Sequence, residues 1–394
     1  MDRRAFVRFP QVQQLGGVRF PKQRILILLL LVRASPATPV LFAQSGYVPG
    51  MAPVNPYLAD SPWPMSHRNS AQQAATSFAG PAPGETIEVS YVKSPGTSTW
   101  MLFSAKYRNG MRAILGSTTD HVYKAVDDSE GVRVVDSIRI DKDPDQSWNH
   151  VLLRNKIWIT HDNDKSGNRM LLKITDTDTS DIYSPLKVVD TFFFPTEIKH
   201  KVQLLNVTYD GWIAFKMGGP YMGVVKPDFS EVKYIKIPQD LGEISSHNQF
   251  AIAPDNSMYV VTTEKMVRVN WDGSSLSIGW TAPYDFVGDG PSTLTAGGSG
   301  TTPTLVGFGR GNDKLVVVAD GHDSNNLVAF WRDEIPDSWE GLKGYDRRVA
   351  AVLDLPLAKN LNNGWQSIEC SPCAFGYGIA VAQFNGVFDI GCDT

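Results

Sequence analysis

The chain has 394 residues, with 41 acidic against 37 basic side chains, a formal net charge of -4 and a pI near 6.0. That balance excludes a nucleic-acid binder working through an electrostatic footprint, and no basic stripe stands out in the body of the chain. The 42% of apolar residues suffices for a sizeable core, and the length suits either two average domains or one large all-β unit.

The first segment differs from the rest. Arg19, Lys22 and Arg24 precede an apolar run over residues 25–32, and a small-residue region continues to Ala43. This is the order of a secretory signal cut after Ala43. The apolar run is far shorter than the ~20 residues needed to span a bilayer. The expectation is an export leader over 1–43, a periplasmic or extracellular protein, and no membrane span in the mature chain. Residues 44–86 are rich in Pro, Ala and Ser without periodicity, and read as an extended lead-in over a surface.

From residue 87 onward one phrase recurs: a turn of Asp, Asn or Gly followed by four or five apolar residues. It begins RNKIWIT at Arg154, YDGWIAF at Tyr209, PDNSMYVVT at Pro254 and GNDKLVVVA at Gly311. Taking Asn155, Asp210, Asp255 and Asp313 as markers, the interval is roughly 50 residues, the size of a four-stranded propeller blade. Strand alternation is clear within 250–280, where Val267, Val269 and Trp271 share one face and Met266, Arg268 and Asn270 the other. Asp272-Gly273 then supplies a hairpin turn. Blades are expected over 100–140, 151–194, 204–237, 250–280 and 303–355, with another opening over 375–390. The predicted fold is all-β: a β-propeller of antiparallel four-stranded blades over 87–394, about five blades plus a partial sixth, incomplete at the C-terminus. Helical signals are confined to short connections near Lys142 and Pro336.

Two stretches resemble the PQQ-binding-like (quinoprotein-like) β-propeller superfamily. SPWPMSHRNSAQQA, residues 61–74, is similar to the Trp-Pro-Met and His/Arg/Asn opening that precedes a first blade, and GGSGTTPTLVGFGRGNDKLVVVAD, residues 297–320, to a Pro-Thr-Leu blade start. The resemblance implies the fold. Quinoprotein dehydrogenases of that superfamily hold PQQ with an adjacent-cysteine disulfide, aromatic stacking and a calcium ion. This sequence has no Cys-Cys pair and no tryptophan-docking repeats, so the motifs do not support PQQ and no catalytic residue carries over.

Several side chains are candidates for chemistry. Asp162-x-Asp164-x-Ser166-Gly167 is the front half of a calcium loop, with oxygens at alternate positions and Gly at the bend, but Met170 and Lys173 stand where further oxygen ligands belong. A polar hairpin tip explains the same residues. Asp289, Asp320, His322, Asp323 and His247 fall in turn regions that a propeller gathers toward its axis, where they could form a ligand site, a divalent-cation site or an acid/base pair. Cys370 and Cys373 could pair across Ser371-Pro372 in an oxidising compartment, leaving Cys392. Trp158, Trp212, Trp271 and Trp280 lie in alternating strands and read as packing between blades. No nucleophile elbow, phosphate loop or His-Glu-x-x-His is present. Two functions follow: an exported ligand-binding or scaffold module contacting a small molecule or protein on one propeller face, or a propeller enzyme, either a metal-dependent hydrolase or lactonase or a quinone-dependent oxidoreductase.

Overall fold

The computed structural model describes residues 50–76, 91–95, 100–140, 150–163, 169–244, 248–285, 298–309, 311–321, 326–355, 366–368, 370–382 and 384–385. The expected leader over 1–43 lies outside them. Apart from two single 3-10 turns, every regular element among the described residues is a strand. No helix among them is long and apolar enough to cross a membrane.

Twenty of the strands form five antiparallel four-stranded meanders. The first contains β1 (Trp100–Phe103), β2 (Ile114–Ser117), β3 (His121–Asp128) and β4 (Gly131–Arg139). The second contains β5 (His150–Leu153), β6 (Ile157–Asn163), β7 (Arg169–Asp176) and β8 (Leu186–Phe193). The third contains β9 (Val202–Val207), β10 (Ile213–Met217), β11 (Tyr221–Val225) and β12 (Val232–Lys236). The fourth contains β13 (Ala251–Ile252), β14 (Met258–Val261), β15 (Lys265–Trp271) and β16 (Leu276–Pro283). The fifth contains β17 (Thr304–Val306), β18 (Leu315–Ala319), β19 (Asn326–Trp331) and β20 (Val349–Asp354). After them, β21 (Gln366–Ser367) pairs with β24 (Phe384–Asn385), and β22 (Cys373–Phe375) with β23 (Gly378–Ala380).

These are blades of the β-propeller kind, because the second to fifth sheets are each covered on both faces. In β15, Val267, Val269 and Trp271 pack toward the third sheet, beside Leu204, Ala214 and Met222. Met266 faces the other way, toward Leu305, Val316 and Phe330 of the fifth. Aromatic rings fill the same seams: Trp212 meets Trp271 edge-on at 5.1 Å, and Trp280 stacks with Phe330 at 6.5 Å. In the second to fifth sheets burial falls from the first strand to the fourth: β5, β9, β13 and β17 are wholly buried, whereas β8, β12, β16 and β20 alternate toward solvent; β1 of the first sheet is mostly exposed. First strands are therefore innermost and fourth strands form the rim.

The rim strands carry a repeated irregularity. Against their third strands, β4, β8, β16 and β20 each hold one extra residue, at Val135, Val189, Gly279 and Ala350. Such bulges twist an exposed edge away from further pairing. The regular rim strand, β12, carries Lys233 and Lys236 instead, and charge serves the same end.

Part of the lead-in enters the channel lined by the innermost strands: Met65, Ser70, Ala71, Gln72 and Gln73 are all 0% exposed, whereas Val54 and Tyr57 stand 71% and 44% exposed at the surface. It meets those strands in blade order. The amides of Phe103 in β1, Leu152 in β5, Ile252 in β13, Leu305 in β17 and Ala374 in β22 donate to the carbonyls of Trp63, Pro64, Ser70, Ala71 and Gln73 at 2.7–3.1 Å. In β9 the Val207 carbonyl accepts from Ser70 Oγ and Asn55 Nδ2 at 2.8 and 2.9 Å. The segment buries itself through its main chain and small polar groups, which an apolar-periodicity test does not see.

Candidate functional site

Inner strands all begin at one end of the channel, and the lead-in enters from the other. Two registers show the direction. Leu58 bridges Leu153 while Met65 bridges Val151, so the chain advances toward the start of β5. Likewise the Trp63 carbonyl meets Phe103, the last residue of β1, whereas the His67 ring sits 6.4 Å from that of Trp100, the first. Residues 66–69 are thus the tip of an axial plug, turned toward the end where the inner strands begin.

The tip is tightly wound and strained. His67, Arg68, Gln72 and Ala74 hold φ values of 51°, 74°, 58° and 49° without being glycine, each at a cost of about 1–2 kcal/mol. The turn is held by the Arg68 amide donating to the Met65 carbonyl and the Ala74 amide to that of His67, both at 2.9 Å. His67 Nδ1 lies 2.8 Å from Gln72 Oε1, and burial pushes its pKa down, favouring a neutral ring that donates to the amide oxygen. The Arg68 guanidinium has no hydrogen-bond or ion-pair partner among the described residues, and its Nε is fully shielded from solvent. Desolvation lowers its pKa, with no carboxylate acting on it.

Around the same channel end stands a collar of buried amides and hydroxyls. Asn248 Nδ2 donates to the Ser299 carbonyl, Thr302 Oγ1 accepts from the Gln249 amide at 2.9 Å, and the Thr302 amide donates to Ser371 Oγ at 3.0 Å. Gln249 Nε2 reaches back to the Leu205 carbonyl at 2.9 Å, so the collar ties the third sheet to the fourth, fifth and last. Lys216, near the end of β10, is wholly buried and donates to the Asn248 carbonyl at 3.0 Å. Burial brings its pKa down to about 7. Two buried acceptors at this end, Gln203 Oε1 and Thr160 Oγ1, have no partner among the described residues.

Of the sequence candidates, Asp320 and Asp162 are described. Asp320 is no surface-loop residue: it is 2% exposed, and its carboxylate accepts from the Asn326 amide and Nδ2, both at 2.7 Å. It closes the turn between β18 and β19 from inside, because a buried carboxylate must be saturated by donors. Asp162 lies in β6 opposite Met170, half-buried, at the same end of the propeller. His247, Asp289, His322, Asp323, Asp164 and Ser166 lie outside the described residues. Among those described, no group of three or more His, Cys, Asp or Glu is arranged to hold a metal ion. Cys370 and Cys373, the possible pair, are thiols rather than a disulfide; Cys373 is exposed at the start of β22, opposite Ala380 in the β22–β23 ladder. Sequence reasoning missed Arg68 and His67, quoted only for their likeness to a blade opening, and Lys216, hidden in the apolar run IAFKM.

Among solved structures, the chain is similar to BBS1N, crystallised in complex with ARL6DN, at 10% identity and a TM-score of 0.41, over 76% of this chain and 81% of that one. It is similar to apo AztD from Citrobacter koseri at 10% identity and a TM-score of 0.36, over 72% and 76%. A gluconolactonase from Xanthomonas campestris gives 12% identity and 0.29, over 70% and 84%. Likenesses of this size concern the fold alone. No protein-family model matches the chain. In sequence, it is 33% identical over 362 residues to an uncharacterized protein of Archaeoglobus fulgidus, a match covering 90% of this chain and 68% of the relative. On that extent of shared sequence, the chain belongs to the same family as this archaeal protein.

Proposed function

We propose that the protein is an exported propeller that binds a small molecule on the face where its inner strands begin. The observation that carries this reading is the lining of that channel end: Asn248, Gln249, Ser299, Thr301 and Thr302 form a linked collar of amides and hydroxyls, with unpartnered acceptors at Gln203 and Thr160 beside it. Preformed, buried polar groups hold a ligand in one orientation. A collar of neutral amides and hydroxyls suits recognition more than metal-assisted hydrolysis, which needs several carboxylate or imidazole ligands together. The plug closes the channel from the opposite side, so a ligand enters and leaves by the same mouth.

A thermal-shift screen of small ligands tests the binding face, since a ligand that binds only the folded state raises the melting temperature. Hits are expected to lose most of their shift in Gln203→Ala, whose amide oxygen has no partner among the described residues, and to keep it in Asn109→Ala at the opposite end. Hits indifferent to Gln203→Ala would place binding elsewhere. Export is supported by the order of basic, apolar and small residues before Ala43. Mature protein recovered outside the cytoplasm should begin at Gln44 by mass spectrometry; recovery of the intact Met1 form in the cytoplasm would refute it.

A further inference from the structure

The Arg68 guanidinium has no counter-ion among the described residues although it is half-buried at the tip of the axial plug. We propose that Arg68 is the receptor for an oxyanion, the carboxylate or phosphate group of a small ligand that enters the channel from the end where the inner strands begin. The inference rests on the binding-face reading above and names the chemical class that face selects.

Three observations converge on it. First, position: the registers of Leu58 and Met65 on β5, and the approach of His67 to Trp100, direct the turn that carries residue 68 toward that end. Second, backbone: His67 and Arg68 occupy left-handed conformations that neither side chain favours, stored strain of the kind that persists where a side chain must be aimed. Third, charge: a desolvated guanidinium is costly unless paired, and the tip offers it no carboxylate. An arginine presents a planar fork of donors that matches carboxylate and phosphate in bidentate fashion. The neighbouring His67 is engaged with Gln72 and does not compete for the ligand. The plug is tethered to β1, β5, β9, β13, β17 and β22, so the guanidinium is carried on a rigid base.

The experiment uses the full chain, with melting temperature and calorimetric Kd measured against inorganic phosphate, gluconate and glucose at constant ionic strength. Phosphate and gluconate are expected to raise the melting temperature saturably, and glucose to do so weakly or not at all. Arg68→Asn tolerates the left-handed backbone and removes the cation. It should weaken anion binding by at least about 30-fold while leaving the unliganded melting temperature equal or higher, because an uncompensated charge is gone. Should that variant fail to fold, Arg68→Lys keeps the charge without the fork and is expected to weaken binding about 10-fold. Anion binding that survives both substitutions, or a parent protein that ignores both anions, overturns the inference. Glucose binding that needs Gln203 but not Arg68 would also overturn it while leaving the binding face in place. Loss of all Gln203-dependent binding would remove the face itself.

Discussion

Lys216 is an amine wholly shielded from solvent. Its pKa falls from 10.5 to about 7 through burial, so the native state disfavours the protonated form. Below pH 7 the full penalty is present; as pH rises from about 7 toward 10.5 the unfolded chain carries the extra proton and the penalty is relieved. Stability should therefore climb across that alkaline window by more than the rest of the protein explains. Lys216→Met, which keeps the stem and drops the charge, is expected to be more stable than the parent by about 2 kcal/mol at pH 6, and by little or nothing at pH 10. Chemical denaturation at the two pH values reads this; equal differences at both would show that the amine is already solvated. Asp320 behaves oppositely, since its carboxylate satisfies two donors inside a turn. Asp320→Ala should cost about 2–3 kcal/mol, with or without added calcium. A loss that appears only when calcium is present would restore the metal reading for this residue.

Among the elements, the strands were legible and the plug was not. Asn155, Asp210, Asp255 and Asp313, the marks of the recurring phrase, all sit in the turn between the first and second strands of a sheet, so the spacing of about 50 residues did count blades. The even-odd split along β15 was correct, with both faces apolar because each meets a neighbouring blade. Residues 50–76 carry no such period. They are buried by Asn55, Ser70, Gln73 and main-chain carbonyls that pair with the innermost strands, and composition alone assigns such a stretch to a surface. The candidate site suffers likewise: turn-forming Asp and His residues advertise themselves in sequence, whereas an arginine at a strained plug tip is visible only once the registers are known. Asn55 tests the plug as an element. Its Nδ2 donates to Ser70 Oγ and to the carbonyls of Val207 and Thr208. Asn55→Ala removes the hydrogen bonds that tie the plug to the end of β9, although Val207 and Thr208 keep the donors Ser70 Oγ and the Gly211 amide, and should lower stability by about 2 kcal/mol. A change below about 0.5 kcal/mol would mean that the segment packs loosely.

For the whole molecule, a radial array of separate sheets invites melting blade by blade, yet the plug touches the first strand of each four-stranded sheet and β22. The amides of Phe103, Leu152, Ile252, Leu305 and Ala374 all end on it. Hydrogen exchange at those positions should accordingly report one free energy of opening, shifted equally at all five by Asn55→Ala. Amides that open at widely different free energies would indicate independent sheets. The far-ultraviolet circular dichroism should be that of strands, since the described residues contain no α-helix.

The plug also sets a timetable for the chain's birth. Gln73 bonds to the carbonyl of Leu305, 232 positions further on. At roughly 5–20 residues per second, a ribosome takes on the order of tens of seconds to supply that partner. Through that interval Ser70 to Gln73 have emerged without the full set of inner strands that buries them. The earliest part of the chain is thus among the last to be settled, so a partner that held it open during synthesis would delay every blade at once.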